Sequence, residues 1–582
     1  MSEFFGQFNP GLILIFAGVI SAFLPISALR KFLLVAAPAL ALVAINLVFF
    51  GSGSNQYIGG QMNVAGFELA TLRIDYLSLV WGYIFCIAGI LNGIFGLHEK
   101  SHITDTCALL YTGAGIGAVF AGDLITLFVF WELLAVSSVF LVWRGGTKAY
   151  AAGMRYLAAH VFSGVLLLAG LTVHYQATDA LAFDHLGLET PGGLLMLLAF
   201  GIKAGFPFLH NWIQDAYPKS SAVGTVILSV FSTKTAIYCL ARGYAGTEIL
   251  IYIGAVMTVF PVFFAVLNND LRKVLSYSLN NQLGFMVCGI GLGTHLALNG
   301  VAAHVVVDIL FKGLLFMSMG AVLHRVGTCK ASELGGLFKS MPYTTLFCLI
   351  GAGSISAFPL MGGFISKSMI IAQAFEDHRW VVFLMLLFAS AGVLEHSGIK
   401  VPYFAFFAHD SGKRVKEAPW NMLAAMGIAA FLCIYLATPG GFGGMHYLYN
   451  LLPFDMVGEA EFHPYTGDHV VFQMQLLMAA MFAFTLLKRY GLYPPERRAE
   501  ILDFDWLYRR PGLALVKWAG AMWTRLDGFA GLIFKRFLAR FGTRMYQIFS
   551  PAGTLSQDAP SGIAALLIAV MLAIAMLEVF IY

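Results

Sequence analysis

Several ionisable side chains, Glu132, Lys203, Lys234, Asp308, Lys312, Lys367, Glu395 and Lys400, sit in stretches otherwise apolar enough to span a lipid bilayer. Each charge at mid-bilayer costs roughly 2.5–3.5 kcal/mol, so five unpaired lysines would cost about 15 kcal/mol, comparable to a whole domain's stability. A chain carrying such a series folds only if these groups face one another, or water, inside a helix bundle. That arrangement points to charge moving through a membrane. Composition agrees: of 582 residues, 59% are hydrophobic and 11% charged, and the mean hydropathy is +0.79. These values describe a multi-pass membrane protein and exclude a soluble domain.

Apolar runs of spanning length begin near Gly11, Phe32, Ser78, Leu109, Leu124, Ala151, Leu194, Val223, Leu250, Val274, Val301, Thr345, Val381, Met422, Val471 and Ile563, predicting an all-α fold of about sixteen transmembrane helices. The first run lacks a basic start and is followed by further spans, so a cleaved signal peptide is not expected. Seven cysteines are scattered singly without a CxxC, and there is neither a P-loop nor a GxGxxG opening a helix. No cofactor, metal or nucleic-acid site is therefore expected, and energy must come from an ion gradient or from partner subunits.

Loop charge sets the expected orientation. Taken alternately, one side collects Arg30, Lys31, Lys100, Arg144, Lys148, Lys219, Arg272, Lys273, Arg325, Lys330, Lys339, Lys413, Arg414, Lys416 and a basic stretch from Lys488 onward. The other has little beyond Arg73, Arg242 and Arg379, and holds Asp179, Asp184, Glu189, Asp455, Glu459, Glu461 and Asp468. By the positive-inside rule the N-terminus is external, and an even helix count returns the C-terminus to that face.

Between the last two spans, from Arg497 to about Ser550, Lys517, Arg525, Lys535, Arg536, Arg540 and Arg544 alternate with Trp518, Trp523, Phe529, Phe534, Phe537 and Phe541. Projected as a helix, the basic positions fall on about half the circumference, with Asp527 the outlier. This reads as an amphipathic lateral helix on the cytoplasmic surface, either anchored on anionic lipid or bracing neighbouring helices or subunits.

Two hydrophobic helices are interrupted alike, at Gly205-Phe206-Pro207-Phe208 and Ala357-Phe358-Pro359-Leu360. Each break is near a lysine, Lys203 or Lys367, and is followed one helix later by another, Lys234 or Lys400. Paired broken helices point to an ion path near the membrane midplane, because a proline frees backbone carbonyls to hold water or a cation. His304, Asp308 and Lys312 recur every four residues and share one helix face; Asp308 either belongs to the path or neutralises Lys312 in a static pair. Glu395, His396 and Lys400 crowd one further helix and form either an external exit or cation site beyond Lys367 or a balanced cluster holding a bent helix.

The stretches Phe130-Trp131-Glu132-Leu133-Leu134, Lys203 to Trp212, Thr233-Lys234-Thr235, Asp270 to Ser278, His304 to Lys312 with Phe316, and Gly363-Phe364-Ile365-Ser366-Lys367 resemble those of the antiporter-like proton-channel subunits. That superfamily includes the large membrane subunits of complex I, of membrane-bound hydrogenases and of multisubunit Mrp-type sodium/proton antiporters. The resemblance covers roughly residues 70 to 410. With Lys367 and the segment Asp503 to Arg509, the chain looks most like the D-type branch of the Mrp-type antiporter subunits.

The resemblance implies two inverted five-helix repeats, each a half-channel, joined by a central hydrated line. It also implies that Glu132 pairs with Lys203, that Lys234 relays protons inward, that His304 and Lys312 continue the line, and that Lys367 opens to the far side. The expected division is 1–106, N-terminal helices; 107–243 and 244–408, the two repeats; 409–490, C-terminal helices; 491–561, the lateral helix; 562–582, the final span. The expected partners are other membrane subunits, protons and a monovalent cation, Na⁺ or K⁺, in a bacterial inner membrane. The longer C-terminus resembles that of the distal large subunit of complex I, which keeps a redox-driven proton pump as an alternative. A membrane scaffold recruiting a peripheral catalytic protein is a further one.

Overall fold

The computed structural model describes residues 2–454, 462–496, 499, 501, 503–550 and 561–581; Asp455, Glu459, Glu461 and Arg497 lie outside them. It forms two compact units, Met1–Ile501 and Leu502–Tyr582. The first opens with α1 (Gly11–Phe23) and α2 (Ser27–Ser52), a hairpin of β1 (Gln56–Val64) and β2 (Phe67–Asp75), and then α3 (Tyr76–Phe95), α4 (His102–Val119), α5 (Leu124–Trp143) and α6 (Thr147–Thr178). Next come α7 (Gly193–Ala204) and α8 (Asn211–Ala216), α9 (Ala222–Leu228) and α10 (Phe231–Gly243), α11 (Ile249–Leu267), α12 (Leu271–Leu292) and α13 (His295–Val326). The unit closes with α14 (Pro342–Ile355), α15 (Gly362–Glu376), α16 (Trp380–Val393), α17 (Trp420–Tyr435), α18 (Met445–Leu451) and α19 (Gly467–Arg489). Among the described residues nine helices are long and apolar enough to cross a membrane, with shorter apolar helices beside them.

Close helix approach is written in glycine. A Cβ added to Gly11 of α1 would overlap the Gly113 carbonyl of α4, and one on Gly254 of α11 would overlap the Cys288 backbone of α12. Small residues allow such contacts where apolar area alone gives lipid-surrounded helices no reason to associate.

The antiparallel hairpin departs from the expected all-α fold. Its register pairs Gln56 with Asp75 and Val64 with Phe67. Asp75 then caps α3, accepting from Ser78 N at 2.9 Å. Hydrogen bonds from Gly122 N to Ala70 O (3.0 Å), Phe183 N to Gly122 O (3.0 Å) and Gly246 N to Ile290 O (2.9 Å) gather loops around this hairpin end. The three basic residues that break the charge rule are all ion-paired there: Arg242 with Asp75 at 2.7 Å, Arg73 with Asp184 at 2.6 Å, and Arg379 with Glu248 at 3.0 Å.

The opposite, basic end is tied by Lys31 to Asp105 at 2.5 Å and by Arg272 Nη1 to Ser220 O at 2.9 Å. After α16 the chain continues in wide π-type turns over Leu394–Lys400 and Tyr403–Phe407 and reaches that end. There Arg414 and Lys339 hold the exposed Asp410 carboxyl well below the usual carboxylate range through direct hydrogen bonds.

In the second unit a π-type turn at Tyr508–Gly512, containing Pro511, leads into α20 (Leu513–Phe549), whose 37 residues give a rod of about 55 Å. All six basic positions predicted for the lateral helix lie on it, exposed like Trp518, Trp523 and Phe529. The last helix is α21 (Ser561–Ile581).

Candidate functional site

Both predicted breaks exist, and they match hydrogen bond for hydrogen bond. Gly205 N donates to Ile202 O, Phe206 N to Gly201 O and Leu209 N to Phe206 O; Ala357 N donates to Ser354 O, Phe358 N to Gly353 O and Met361 N to Phe358 O. Phe208 (φ 70°) and Leu360 (φ 66°) are both left-handed. Pro359 has no N–H for the carbonyl four residues earlier, Ile355 O, and the Lys367 ammonium takes that vacant acceptor at 2.6 Å.

Carbonyl seating recurs along the whole series. Lys203 donates to Trp131 O at 2.6 Å with its ammonium 4.1 Å from the Trp131 ring centroid, and Lys234 donates to Ser229 O, in the break between α9 and α10, at 3.0 Å. Lys312 reaches Leu275 O at 3.5 Å. Lys400 donates to Ala265 O, Val266 O and Asn268 O at 3.2, 2.5 and 2.7 Å. All five lysines are buried.

The Asp308–Lys312 alternative is replaced, and the implied Glu132–Lys203 pairing is not a direct contact. Asp308 neutralises Lys234, not Lys312: the carboxylate lies 2.8 Å from the Lys234 ammonium with both side chains fully inaccessible, which joins α10 to α13. Neither Asp308 oxygen has a hydrogen bond of good geometry, so this contact is mainly Coulombic. Glu132 and Lys203 share no ion pair within 4.0 Å among the described residues. Lys203 is held by Trp131 O instead, and Glu132 Oε1 is buried without a hydrogen-bond partner. The Glu132 carboxylate occupies the space over Gly164 of α6, where a Cβ would collide with Oε1. Gly164→Ala is therefore expected to evict this carboxylate and cut transport about 100-fold at unchanged assembly, read as vesicle transport against the level of purified complex.

Further along, His304 Nδ1 lies 2.8 Å from Ser366 Oγ, and its Nε2 is buried without a partner. Beyond Lys367 a cavity of about 380 Å³ extends past Ser368, His463, Thr466 and His469 to Glu376, near the hairpin end. His469 Nδ1 is 2.7 Å from Pro464 O, which can only accept, so Nδ1 carries a proton; Nε2 lies 3.0 Å from Ser368 Oγ, whose own hydroxyl donates to Phe364 O.

Glu395, His396 and Lys400 lie elsewhere. Lys400 is fastened to the end of α11 and to Asn268, which opens the basic loop 268–273, so the cluster occupies the basic end and not the end toward which the cavity beyond Lys367 extends. His396 Nδ1 is 2.8 Å from Ser397 Oγ, which donates to Ser278 Oγ of α12 at 2.6 Å.

Sequence reasoning missed Gly164, Ser368 and His469, and it missed the buried polar stretch of α12. Ser276, Ser278, Asn280, Asn281 and Gln282 are fully buried there, and neither amide atom of Asn280 has a partner. Polar residues so closely spaced within a hydrophobic span were the available signal.

A polytopic helical membrane protein with paired broken helices and a buried series of lysines, histidines and carboxylates is the class that this fold and site define. Residues 121–393 match the family described as NADH:quinone oxidoreductase/Mrp antiporter, transmembrane. The chain is 30% identical over 360 residues to the Na⁺/H⁺ antiporter D subunit of Alkalihalophilus pseudofirmus, covering 58% of this chain and 72% of that protein. It is 26% identical over 428 residues to the corresponding D subunit of Bacillus subtilis, covering 69% and 85% respectively. The fold is that of a chain of the Mrp complex from a Dietzia species, with a TM-score of 0.69, 20% identity and coverage of 81% of this chain and 98% of that one. It is also that of a chain of a membrane-bound sulfane sulfur reductase, an archaeal respiratory membrane complex, with a TM-score of 0.70, 21% identity and coverage of 98% and 99%. The protein belongs to the NADH:quinone oxidoreductase/Mrp antiporter transmembrane family.

Proposed function

We propose that this chain is the proton-translocating subunit of a multisubunit monovalent-cation/proton antiporter, a transporter subunit and not an enzyme in itself. The observation that carries this reading is the fully buried Lys234–Asp308 pair, set among lysines seated on carbonyls at the helix breaks. In this reading protons enter at Glu132 and Lys203, pass Lys234, Asp308, His304 and Lys312, and leave from Lys367 through the Ser368–His469 cavity. An ammonium beside a carboxylate keeps its proton; when the partner moves away, desolvation favours the neutral amine and the proton leaves. Motion in a neighbouring membrane subunit that biases one ion pair thus drives transfer at a distance.

The wider frame is proposed with it. About sixteen crossings, the C-terminal one following the lateral helix, place the basic end inside and both termini outside a bacterial inner membrane. The matching breaks support two inverted repeats, 107–243 and 244–408, flanked by 1–106 and 409–490 and followed by 491–561 and 562–582. Antiporter relatives and Mrp-like folds support other membrane subunits as partners.

One observation favours a second reading. In structure the Mrp complex chain covers 81% of this chain, whereas the sulfane sulfur reductase chain covers 98% of it. That coverage suits a proton-pumping subunit whose driving redox chemistry resides on other chains. The test is purification with native partners, followed by transport in inside-out vesicles. Collapse of a pH gradient on adding Na⁺ or K⁺, lost in Lys367→Ala, supports the antiporter. Stoichiometric flavin or iron-sulfur absorbance without cation-driven proton movement supports the pump.

A further inference from the structure

The C-terminal end of α11 gathers an unusual set of acceptors. Asn268 uses both its backbone N–H and its side-chain amide on Phe264 O, at 3.2 and 2.6 Å. That satisfies one of the final carbonyls and leaves those of Ala265, Val266 and Asn268 pointing at a single position. The Lys400 ammonium fills it at 3.2, 2.5 and 2.7 Å. The partial negative charge of a helix C-terminus adds to this attraction. The charged groups acting on Lys400 from surrounding elements are Glu395 in its own wide turn and Lys488 and Glu496 near the end of α19. Among the described residues no ion pair joins Glu395 to Lys400; the carboxylate lines a cavity of about 440 Å³ with Val266, Leu267, Phe388, Phe484 and Tyr493.

We propose that these three carbonyls, with Glu395, form a binding site for a dehydrated monovalent metal cation, and that the Lys400 ammonium is its tethered, displaceable occupant. Carbonyl and carboxylate oxygens are the donors that Na⁺ and K⁺ take, and exposed helix-end carbonyls are a recurring way to hold them within a membrane. An ammonium and a metal ion cannot share the position, so cation entry requires Lys400 to leave, and the 440 Å³ cavity beside Glu395 is the space into which it swings. The wide turn Leu394–Lys400 carries both groups on one element, so each departure of Lys400 brings its charge toward Glu395. His396, through Ser397 and Ser278, ties the same turn to α12, whose Leu275 carbonyl seats Lys312, which gives cation occupancy a physical link to the proton line. The site lies at the basic end. This inference deepens the antiporter reading, on which its role as the coupling-cation site rests; cation binding itself does not depend on that reading.

The test is equilibrium binding of radioactive sodium and rubidium to the purified assembly in detergent. A tethered competitor acts at roughly millimolar effective concentration, so Lys400→Met is expected to raise the affinity for one of these ions about tenfold or more. Lys400→Arg, which keeps a cation in place, is expected to give no rise, and adding Glu395→Gln to Lys400→Met is expected to reverse it. Unchanged binding in an assembled Lys400→Met complex overturns the site. If that variant does not assemble, Glu395→Gln in the otherwise unaltered chain must weaken binding about tenfold, and unchanged binding there overturns the site equally. Tight binding in Lys400→Met from an assembly without antiport activity overturns the antiporter reading and leaves the site standing.

Discussion

Asp308→Leu alone is expected to deplete the protein from the membrane, whereas Lys234→Met/Asp308→Leu restores its level and stays silent in transport. The two side chains meet at 2.8 Å with no exposure, so removing the carboxylate strands an ammonium whose remaining acceptor is Ser229 O. Breaking a buried pair in this way costs about 3–5 kcal/mol, a large share of ordinary stability, while replacing both charges by apolar groups of similar volume is often neutral. The double variant has packing without titratable groups. Its thermal unfolding midpoint, measured on the purified assembly beside proton movement in vesicles, separates the structural from the transporting role of the pair. Recovery of transport in the double variant would remove Lys234 and Asp308 from the proton line.

Lys203→Ala is expected to lower proton transport roughly 100-fold or more with assembly intact, and Lys203→Arg to be equally silent. The ammonium donates to Trp131 O and lies over the Trp131 ring, so an arginine can keep both the charge and the stacking. What it cannot do is release a proton, since a guanidinium stays protonated under all working conditions. A static cation would therefore survive this exchange and a carrier would not. Measuring both variants in the same vesicle assay decides between them: substantial activity in Lys203→Arg makes the residue structural. Glu132→Ala is expected to be similarly impaired, because its buried Oε1 has no hydrogen-bond partner of the kind a purely structural role would require.

The proline breaks, the buried lysines and the gathering of basic loops at one end were legible in the sequence because each depends on one segment at a time. A proline lacks its N–H whatever surrounds it, and a lysine in an apolar span must be accommodated somewhere. Partnerships were not legible. Whether Asp308 meets Lys312 on its own helix or Lys234 on another depends on the rotation and height of α10 against α13, which packing fixes and helix periodicity does not. Lys312 is one turn from Asp308 in sequence, yet it reaches the Leu275 carbonyl of α12. His469 is hidden for a similar reason. It stands at the start of α19 and reaches Ser368 across 101 positions of chain. The placement of Lys400 was readable: counted from Val381 it is the twentieth residue of its run, a full span away from Arg379, although the wide π-type turns that carry it there were not. The hairpin is concealed because short strands between long apolar runs look like ordinary connecting loops.

The lysine seats have an electrical consequence. A backbone carbonyl is neutral and cannot titrate, so when a proton departs from Lys203 or Lys367 it leaves a neutral amine against a neutral oxygen. At Lys234 the same departure strands the Asp308 carboxylate in the buried interior. The bundle therefore works like a capacitor with one charged plate near its middle: proton loss at the carbonyl seats uncovers no countercharge at ion-pair distance, while at the centre it does. Since a full crossing of one charge is worth about 2.3 kcal/mol per 100 mV, the membrane voltage can bias occupancy throughout the line, but only at this central station must it also pull opposite charges apart.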